Sequence, residues 1–460
     1  MDLPRLILAE ERRPGKVPSG VLLAAALKQR GYRLRLFVAG GDEGTLRLAE
    51  CLCGQRCSYL DPVLCGSGGA LRSLFQAGAD PEALNLVLAP LGSRSGDDAP
   101  FLVHPETREL ASLLGGGLVP IFCADTSAMV AARTVEEVAR QLESVPEVSI
   151  LGTLFLSVPF PREYQLLDRD LGRRLPWMGL GYVPRELERP EPSLGDLCNP
   201  EVLHRTLIPL RTAAAHLQSL EDQIQWPLFG ALARVGCAWE PEPPLEPLFS
   251  RPRVAVLRHP GLSLSGEGPE LLLQALGCSL LDIPLAGGAI PRECDAAYLP
   301  HGLGFLALVQ FLENRELVQS LGQILLSGRG LLAEGGGAPL LGEQILLPSG
   351  KGARGASLFS LKGIYREPRP GSQTRLFVRA RAQGPLLGEG ESLRGVASRG
   401  VFLSGADPQD GDWEVREDPA GAPTGMEGWS LNRGVVTRLR LELWSCPLPV
   451  RRWLLGRGNA

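Results

Sequence analysis

Four cysteines lie close enough in sequence to form a metal or redox site: Cys51, Cys53, Cys57 and Cys65. Grouped thiolates can bind zinc or an iron–sulfur cluster, but the C-x-C-x3-C-x7-C spacing matches none of the standard patterns for these metals. Ten cysteines in a chain of 460 residues, with no predicted secretory leader, do not indicate a disulfide framework either. We therefore expect small buried thiols packed near a helix end, with a metal or redox module as the alternative.

A lysine-containing loop, residues 9–18, follows the first apolar segment of the chain. A phosphate-binding loop in this place would wrap phosphates with backbone N–H groups, reach them with a lysine and hold Mg²⁺ with a Ser or Thr hydroxyl. Gly15 and Lys16 have the required types, whereas Val17 stands where the hydroxyl would be. A valine methyl group cannot coordinate a cation.

Short apolar runs alternate with helix-length segments in the first half of the chain, which predicts βαβ units and a mostly parallel sheet. Strands of such a sheet are buried on both faces, so they appear as continuous apolar runs. The predicted strands are 5–9, 33–38, 86–88, 119–123 and 148–156, and the predicted helices are 19–30, 128–142 and 209–223, the last with Pro209 in its first turn.

A second α/β segment begins after a proline-rich stretch, 241–252, that can form neither a helix nor a central strand. The expected organisation is therefore a first domain over 1–240, a linker over 241–252 and a second domain over 253–460. In the second domain the predicted strands are 253–257, 279–283, 296–299 and 330–334, and the predicted helices are 268–276 and 305–327.

Composition narrows the possible functions. Hydrophobic residues make up 44% and charged residues 21% of the chain, which is typical of a globular protein. The net charge of −4 and the scattered basic residues argue against nucleic-acid binding. No run of about 18 apolar residues occurs, so no membrane span is predicted. The N-terminal apolar stretch is too short for a signal peptide, and we expect a cytoplasmic location.

Three segments carry a resemblance to a known family. They are Tyr298-Leu-Pro-His-Gly-Leu-Gly, Glu313-Asn-Arg-Glu-Leu and Leu331-Leu-Ala-Glu-Gly-Gly-Gly-Ala-Pro-Leu-Leu. In this order they resemble the glutaminase domain of cobyrinic acid a,c-diamide synthases, which carries Ala-Glu-Cys-Gly-Gly at a strand-to-helix turn. The family chemistry needs a cysteine thiolate there. The resemblance places Gly335 at that position, and glycine cannot form a thioester with glutamine.

The histidine positions of the family are also changed. Residues 437–444, Thr-Arg-Leu-Arg-Leu-Glu-Leu-Trp, resemble the family's Ser-Tyr-Leu-His-Leu-His-Phe. The resemblance places Arg440 and Glu442 where the histidines would be. Arginine stays protonated at any relevant pH and cannot act as a general base. We therefore expect no glutaminase activity.

The N-terminal loop resembles a degraded form of the family's Gly-Thr-x-Ser-Gly-x-Gly-Lys-Thr-Thr. The resemblance identifies a remnant of the nucleotide site in Gly15, Lys16, Asp42 and Asp125. Ala89 replaces an acidic residue that the family has near its metal ion. ATP and Mg²⁺ are thus implied as cofactors only by the resemblance, and we expect no normal Mg-ATP hydrolysis.

The family resemblance implies an N-terminal domain like P-loop NTPases and a C-terminal domain like class I glutamine amidotransferases. It also implies ATP- and glutamine-dependent amidation of tetrapyrrole side-chain carboxylates. Because both sites are altered, the first hypothesis is a catalytically degenerate member that binds a tetrapyrrole, pairs with an intact homologue or self-associates. The alternative is an active amidoligase that uses free ammonia or a partner glutaminase. Restoring Thr at 17 and Gly at 13 should raise ATP affinity if the loop geometry is intact.

Overall fold

The computed structural model describes residues 1–94, 99–125, 127–143, 145, 148–367, 373–398, 400–405 and 411–456. Contacts divide the chain into two compact units. Unit 1 comprises Met1–Val63, Gly78–Leu197 and Glu201–Glu242, and unit 2 comprises Leu64–Ala77, Cys198–Pro200 and Pro243–Ala460. The short segment Leu64–Ala77 belongs to unit 2, whereas the boundaries expected from the sequence place it in the first domain.

The first half of the chain alternates strands and helices. Its strands are β1 (Arg5–Glu11), β2 (Leu34–Ala39), β3 (Cys57–Leu60), β4 (Leu84–Ser93), β5 (Leu102–Val103), β6 (Gly117–Cys123), β7 (Ser149–Ile150), β8 (Gly152–Val158) and β9 (Met178–Pro184). Its helices are α1 (Ser19–Gln29), α2 (Glu43–Cys53), α3 (Pro62–Cys65), α4 (Gly68–Gly78), α5 (Pro105–Leu114), α6 (Ala128–Glu143), α7 (Pro161–Leu171), α8 (Leu194–Cys198), α9 (Pro200–Ser219) and α10 (Trp226–Ala233).

The strands of unit 1 form one sheet with the order β3-β2-β4-β1-β6-β8-β9. Every neighbouring pair along this path is parallel. The predicted α/β fold with a large parallel sheet is therefore confirmed. Because β1 lies between β4 and β6, the loop that follows it opens at the carboxyl edge of the sheet, beside the ends of β6 and β8.

The prediction that Pro209 lies in the first turn of its helix is wrong. Helix α9 begins at Pro200 and continues through Pro209 to Ser219. Pro209 and Arg205, the residue four positions earlier whose carbonyl loses its partner, are both exposed. Water can therefore satisfy that carbonyl group, and the helix is not interrupted.

The second half contains many short strands. They are β10 (Arg253–Arg258), β11 (Ser279–Pro284), β12 (Ala296–Leu299), β13 (Gly330–Glu334), β14 (Gln344–Leu346), β15 (Gly352–Arg354), β16 (Lys362–Tyr365), β17 (Gln373–Ala380), β18 (Ser392–Ser398), β19 (Val401–Ser404), β20 (Trp413–Arg416), β21 (Gly425–Glu427), β22 (Trp429–Leu431), β23 (Gly434–Thr437) and β24 (Leu439–Leu441). The helices are α11 (Gly268–Ala275), α12 (Leu308–Glu313), α13 (Arg315–Leu326) and α14 (Pro447–Leu455).

The main sheet of unit 2 has the order β11-β10-β12-β13-β23-β22 and is parallel except for the β22–β23 pair. The predicted helix 305–327 is interrupted at Asn314, which ends α12 and caps α13 by accepting the Leu317 N–H at 3.1 Å. The Asn314 amide also donates to the Leu285 and Gly288 carbonyl oxygens. These tertiary contacts hold the break between the two helices.

Candidate functional site

The strand-to-helix turn after β13 lies where the sequence predicts it. Strand β13 ends at Glu334, and Gly335 begins a short 3-10 helix that continues to Leu341. Gly335 has a φ of 54°, in the left-handed region that favours glycine. A sharp, strained turn of this kind presents the nucleophile in many hydrolases. The backbone geometry is therefore present, although the side chain is missing.

The imidazole of His301 occupies the space in which a side chain at position 335 would begin. A Cβ atom built on Gly335 would lie 1.8 Å from His301 Nδ1 and 2.5 Å from its Cγ atom. His301 is only 2% exposed, so the ring has little room to move aside. A cysteine at position 335 therefore does not fit unless His301 moves.

The same histidine accepts a hydrogen bond from the turn. The Gly336 N–H donates to His301 Nδ1 at 3.0 Å, and the His301 N–H donates to the hydroxyl of Ser265 at 2.8 Å. In enzymes with such a turn, the N–H of the residue after the nucleophile stabilises the oxyanion. In this chain that donor is already used, so one ring fills both the nucleophile position and the oxyanion position.

Glycines on either side of the turn pack against backbone with no space for a side chain. A Cβ atom on Gly336 would lie 1.6 Å from the Gly302 carbonyl oxygen, and one on Gly304 would lie 2.0 Å from the Gly336 carbonyl oxygen. The hydroxyl of Tyr365 donates to that Gly336 oxygen at 2.6 Å. This arrangement explains why glycine is needed at these positions.

Glu334 joins β13 to its neighbours. It is fully buried and accepts hydrogen bonds from the Ser265 hydroxyl at 2.6 Å, the Leu441 N–H at 2.9 Å and the hydroxyl of Tyr298. Burial, followed by the nearby Glu334 carboxylate, raises the pKa of Tyr298 well above its usual value. Each carboxylate oxygen accepts at least one hydrogen bond from the protein, so Glu334 has a structural role.

Arg440 and Glu442 lie at the positions that the resemblance assigns to histidines. Arg440 is 2% exposed and pairs with Val396 across β24 and β18. Glu442 accepts the Trp444 N–H at 3.3 Å and so caps the turn that follows β24. A guanidinium cannot accept a proton, and the carboxylate stabilises the local backbone.

In unit 1, a carboxylate that the sequence analysis did not single out occupies the start of α1. Glu10 Oε1 accepts the Ser19 N–H at 2.9 Å, and Glu10 Oε2 accepts the Gly20 N–H at 2.8 Å. These N–H groups belong to the first turn of the helix after the loop, where a phosphate-binding loop would place a phosphate. The only available signal was an acidic residue at the carboxyl end of β1.

Arg13 and Lys16 are held by a second carboxylate. Arg13 Nη1 donates to Glu188 Oε1 at 2.6 Å and to the hydroxyl of Ser157 at 2.5 Å. Lys16 Nζ lies 3.2 Å from Glu188 Oε2. Burial opposes ionisation of Glu188, yet the hydrogen bond from Ser157 and the charge of Arg13 outweigh it and lower the Glu188 pKa. The lysine assigned to phosphate binding is thus paired within the protein.

Two further N–H groups of the loop also have partners. The Lys16 N–H donates to the Arg13 carbonyl at 3.2 Å, and the Val17 N–H donates to the Arg189 carbonyl at 3.0 Å. The Val17 side chain is 3% exposed and belongs to the hydrophobic core. Gly15 has a φ of 72° and makes the bend that precedes Lys16.

The two aspartates assigned to the nucleotide remnant have different environments. Asp42 caps α2 by accepting the Thr45 N–H at 3.1 Å, and it forms an ion pair with Arg12 at 2.5 Å. Asp125 is exposed after β6, and Ala89 offers no carboxylate on β4. With the N–H groups of Lys16, Val17, Ser19 and Gly20 paired within the protein and the Val17 side chain in the core, the loop does not fit ATP and Mg²⁺ in the way that the family resemblance implies.

The cysteine cluster does not assemble into a metal site. Within the described part of the chain, no group of three or more His, Cys, Asp or Glu side chains is arranged to hold a metal ion. Cys51, Cys53 and Cys57 belong to unit 1, whereas Cys65 belongs to unit 2. Burial raises the pKa of Cys53 to about 12, so its thiol stays protonated at neutral pH. Cys53 is thus a buried, protonated thiol, and the metal or redox module stays an alternative hypothesis.

Curated relatives of the chain share its sequence over most of its length. It is 29% identical over 339 residues to the hydrogenobyrinate a,c-diamide synthase of Stutzerimonas stutzeri, covering 72% of this chain and 73% of the relative. It is 28% identical over 367 residues to the corresponding enzyme of Pseudomonas aeruginosa, covering 78% of each chain. The cobyrinate a,c-diamide synthase of Herminiimonas arsenicoxydans is 24% identical over 345 residues, covering 73% of each.

Among solved structures, a glutamine amidotransferase from Thermotoga maritima matches with a TM-score of 0.29 and 15% identity, covering 41% of this chain and 75% of that chain. Chloroplast FtsY from Physcomitrella patens matches with a TM-score of 0.28 and 12% identity, covering 45% of this chain and 66% of that chain. No protein-family model matches the sequence. None of the described helices has the length and apolar character needed to traverse a bilayer. The relationship to the synthases therefore depends on the sequence relatives.

Proposed function

Since the chain is a homologue of the cobyrinate and hydrogenobyrinate a,c-diamide synthases, we propose that it no longer hydrolyses glutamine and that it acts by binding. The proposed ligand is a tetrapyrrole of the kind that its relatives are named for, and the proposed partner is an intact homologue or a second copy. This role uses the retained α/β scaffold and needs neither altered site to turn over.

The observation that carries the proposal is the position of His301. A lost nucleophile alone would leave an open turn that one substitution could repair. Here the ring lies 1.8 Å from the place of the missing Cβ atom and also accepts the Gly336 N–H. The ring of His301 thus blocks both the nucleophile position and its oxyanion donor. This supports a protein that does not hydrolyse glutamine at this turn.

The alternative, an amidoligase that uses free ammonia, requires only unit 1 to be active. The carboxylate of Glu10 on the Ser19 and Gly20 N–H groups argues against it, because a nucleotide phosphate would need the same donors. The pairing of Lys16 with Glu188 argues in the same direction. Turnover of ATP with hydrogenobyrinate and ammonium chloride would establish this alternative.

The proposal is tested with the purified full chain. Glutamine hydrolysis is measured as ammonia release, hydrogenobyrinate binding is followed by visible absorbance, and association with an intact synthase is followed by analytical ultracentrifugation. We expect no ammonia release, together with either a saturable absorbance change or a heavier species. Ammonia release at the rate of an intact relative would contradict the proposal, and so would the absence of both binding signals.

A further inference from the structure

The start of α1 is capped by a residue that is remote in sequence. Helices α2 and α13 are capped by Asp42 and Asn314, the residues immediately before them. The residue before α1 is Pro18, whose side chain makes no capping hydrogen bond. Glu10 supplies the acceptors instead, from the end of β1, and each of its two oxygens takes one N–H group. A carboxylate held in this way copies how an oxyanion is bound at a helix start.

Cationic side chains complete the surroundings of this carboxylate. Arg13 Nη2 lies 3.8 Å from Glu10 Oε1 and 3.3 Å from the hydroxyl of Ser19. Arg13 and Lys16 both pair with Glu188. Two cations therefore face two carboxylates in this cluster. Without Glu10, the cluster would keep an excess positive charge and two backbone donors without an acceptor.

The Glu10 carboxylate is also withdrawn from solvent. The residue is 8% exposed, and Ser19 and Gly20 are buried as well. A Cβ atom on Gly20 would lie 3.7 Å from Glu10 Oε2, so the carboxylate packs closely against the helix backbone. An external anion cannot reach these N–H groups while Glu10 is in place.

We propose that Glu10 is a built-in anion that takes the place of a phosphate at the start of α1, and that its removal opens a binding site for a small oxyanion such as inorganic phosphate or sulfate. With Glu10 in place, unit 1 keeps its loop structure without a bound nucleotide. This inference does not depend on the proposed binding role of the chain, because occupation of the α1 start by phosphate in a variant does not require a tetrapyrrole or a partner protein.

The test is rescue of an Ala variant by anions. Glu10→Ala should lower the Tm by roughly 4 °C or more, because two buried donors lose their acceptor. Phosphate or sulfate, compared with chloride at equal ionic strength, should recover at least half of that loss. The wild-type chain should gain less, since its site is already filled.

Sulfate and phosphate stabilise many proteins by exclusion from their surface, so a matched control is needed. Glu50 is equally buried, at 8% exposed, and accepts the Cys57 N–H at 3.2 Å, away from a helix start. Glu50→Ala should lose stability but should gain from the anions no more than the wild type does. If Glu10→Ala gains no more than Glu50→Ala, the inference is wrong and Glu10 is an ordinary cap.

A second variant protects the test against failure to fold. Glu10→Gln keeps the size of the side chain and one acceptor oxygen, but removes the charge and replaces the second acceptor with a donor. Because its NH2 group would face a backbone donor, the Gln side chain should turn away from the start of α1. The variant should therefore be stabilised by phosphate more than Glu50→Gln, and it should lose less stability than the Ala variant. Equal stabilisation of the two Gln variants would also overturn the inference.

Discussion

The Nδ1 atom of His301 accepts the Gly336 N–H at 3.0 Å and lies 1.8 Å from where a Cβ atom on the preceding glycine would be. Two features that would each prevent glutaminase chemistry, the glycine at 335 and the ring of His301 on the Gly336 N–H, are therefore physically coupled. Glycine at 335 makes room for the ring, and the ring takes over the hydrogen bond that a substrate oxyanion would receive.

The first prediction concerns this coupling. Gly335→Ala should destabilise unit 2 more than Gly350→Ala, since both glycines have positive φ but nothing lies within 4 Å of a Cβ atom at 350. The left-handed backbone costs about 1–2 kcal/mol at either position. The clash with His301 should add about 1–3 kcal/mol at 335 only. Denaturant unfolding of both variants measures the difference.

His301→Ala should relieve the closest part of that clash, since it removes the ring and leaves only the His301 Cβ atom at 2.7 Å. In a double-mutant cycle, Gly335→Ala together with His301→Ala should therefore cost less than the sum of the two single changes. Additive effects would show that the ring moves aside freely and that the turn is not blocked.

The second prediction concerns Glu334, whose carboxylate accepts hydrogen bonds from Ser265, Tyr298 and Leu441. Glu334→Ala should lower the free energy of unfolding by about 3 kcal/mol or more, because these buried donors lose their acceptor. Tyr298→Phe removes one of the donors and should cost about 1.5–3 kcal/mol.

A matched control for the tyrosine change is Tyr164→Phe. The Tyr164 hydroxyl makes a long 3.5 Å contact with Asp168 and a backbone contact with Gly181, so its loss should lower the free energy of unfolding less than Tyr298→Phe does. A loss as large as that of Tyr298→Phe would show that removal of any tyrosine hydroxyl is costly in this fold and that the Glu334 contact is not special.

How far the sequence predicts this structure can be seen at individual elements. Strands β12 and β13 have the predicted limits, since short apolar runs between turn residues leave few other interpretations. The break at Asn314 was not predicted, because it depends on the Leu285 and Gly288 carbonyl oxygens, which are distant in the chain. Periodicity contains no information on such contacts.

At the candidate sites, too, local features could be predicted and contacts between distant residues could not. The family resemblance implies which residues are missing, namely a cysteine at 335 and a hydroxyl at 17. It does not indicate what fills the space. His301 contacts a residue 35 positions away, and Glu10 caps α1 by accepting the N–H of Ser19, nine positions later in the chain. Only the folded arrangement brings these atoms together.

The third prediction is the pH dependence of the Glu188 cluster. The Glu188 pKa is lowered by the hydrogen bond from Ser157 and the charge of Arg13, which outweigh the effect of burial. Its contribution to stability should therefore be present above the unfolded-state pKa of about 4.3 and be lost as the pH falls through the lower folded-state pKa. The difference in unfolding free energy between wild type and Glu188→Gln should be constant from pH 5 to 7, as rough limits, and shrink in acid. A difference that grows in acid would contradict the assignment.

The fourth prediction concerns thiol reactivity. Burial raises the pKa of Cys53, Cys278 and Cys446 to about 12, so these thiols should stay protonated and unreactive at neutral pH. Alkylation by iodoacetamide, followed by peptide mass spectrometry, should label them only after denaturation. Cys51 is half-buried, and its labelling rate in the same sample serves as the internal comparison. Rapid labelling of Cys53 in the native chain would show an activated thiolate and revive the metal or redox hypothesis.

The fifth prediction differs from the expectation drawn from the loop sequence alone. Restoring the family residues by Val17→Thr and Arg13→Gly should not create ATP binding, because Glu10 still holds the Ser19 and Gly20 N–H groups. The change should instead destabilise unit 1, since Glu188 and Ser157 lose the Arg13 guanidinium and Val17 leaves the core. Isothermal titration with Mg-ATP and thermal unfolding measure the two effects. The decisive comparison adds Glu10→Thr to the double variant Val17→Thr/Arg13→Gly. ATP binding by the double variant would show that a phosphate can displace the Glu10 carboxylate. ATP binding by the triple variant only would identify Glu10 as the group that blocks the loop.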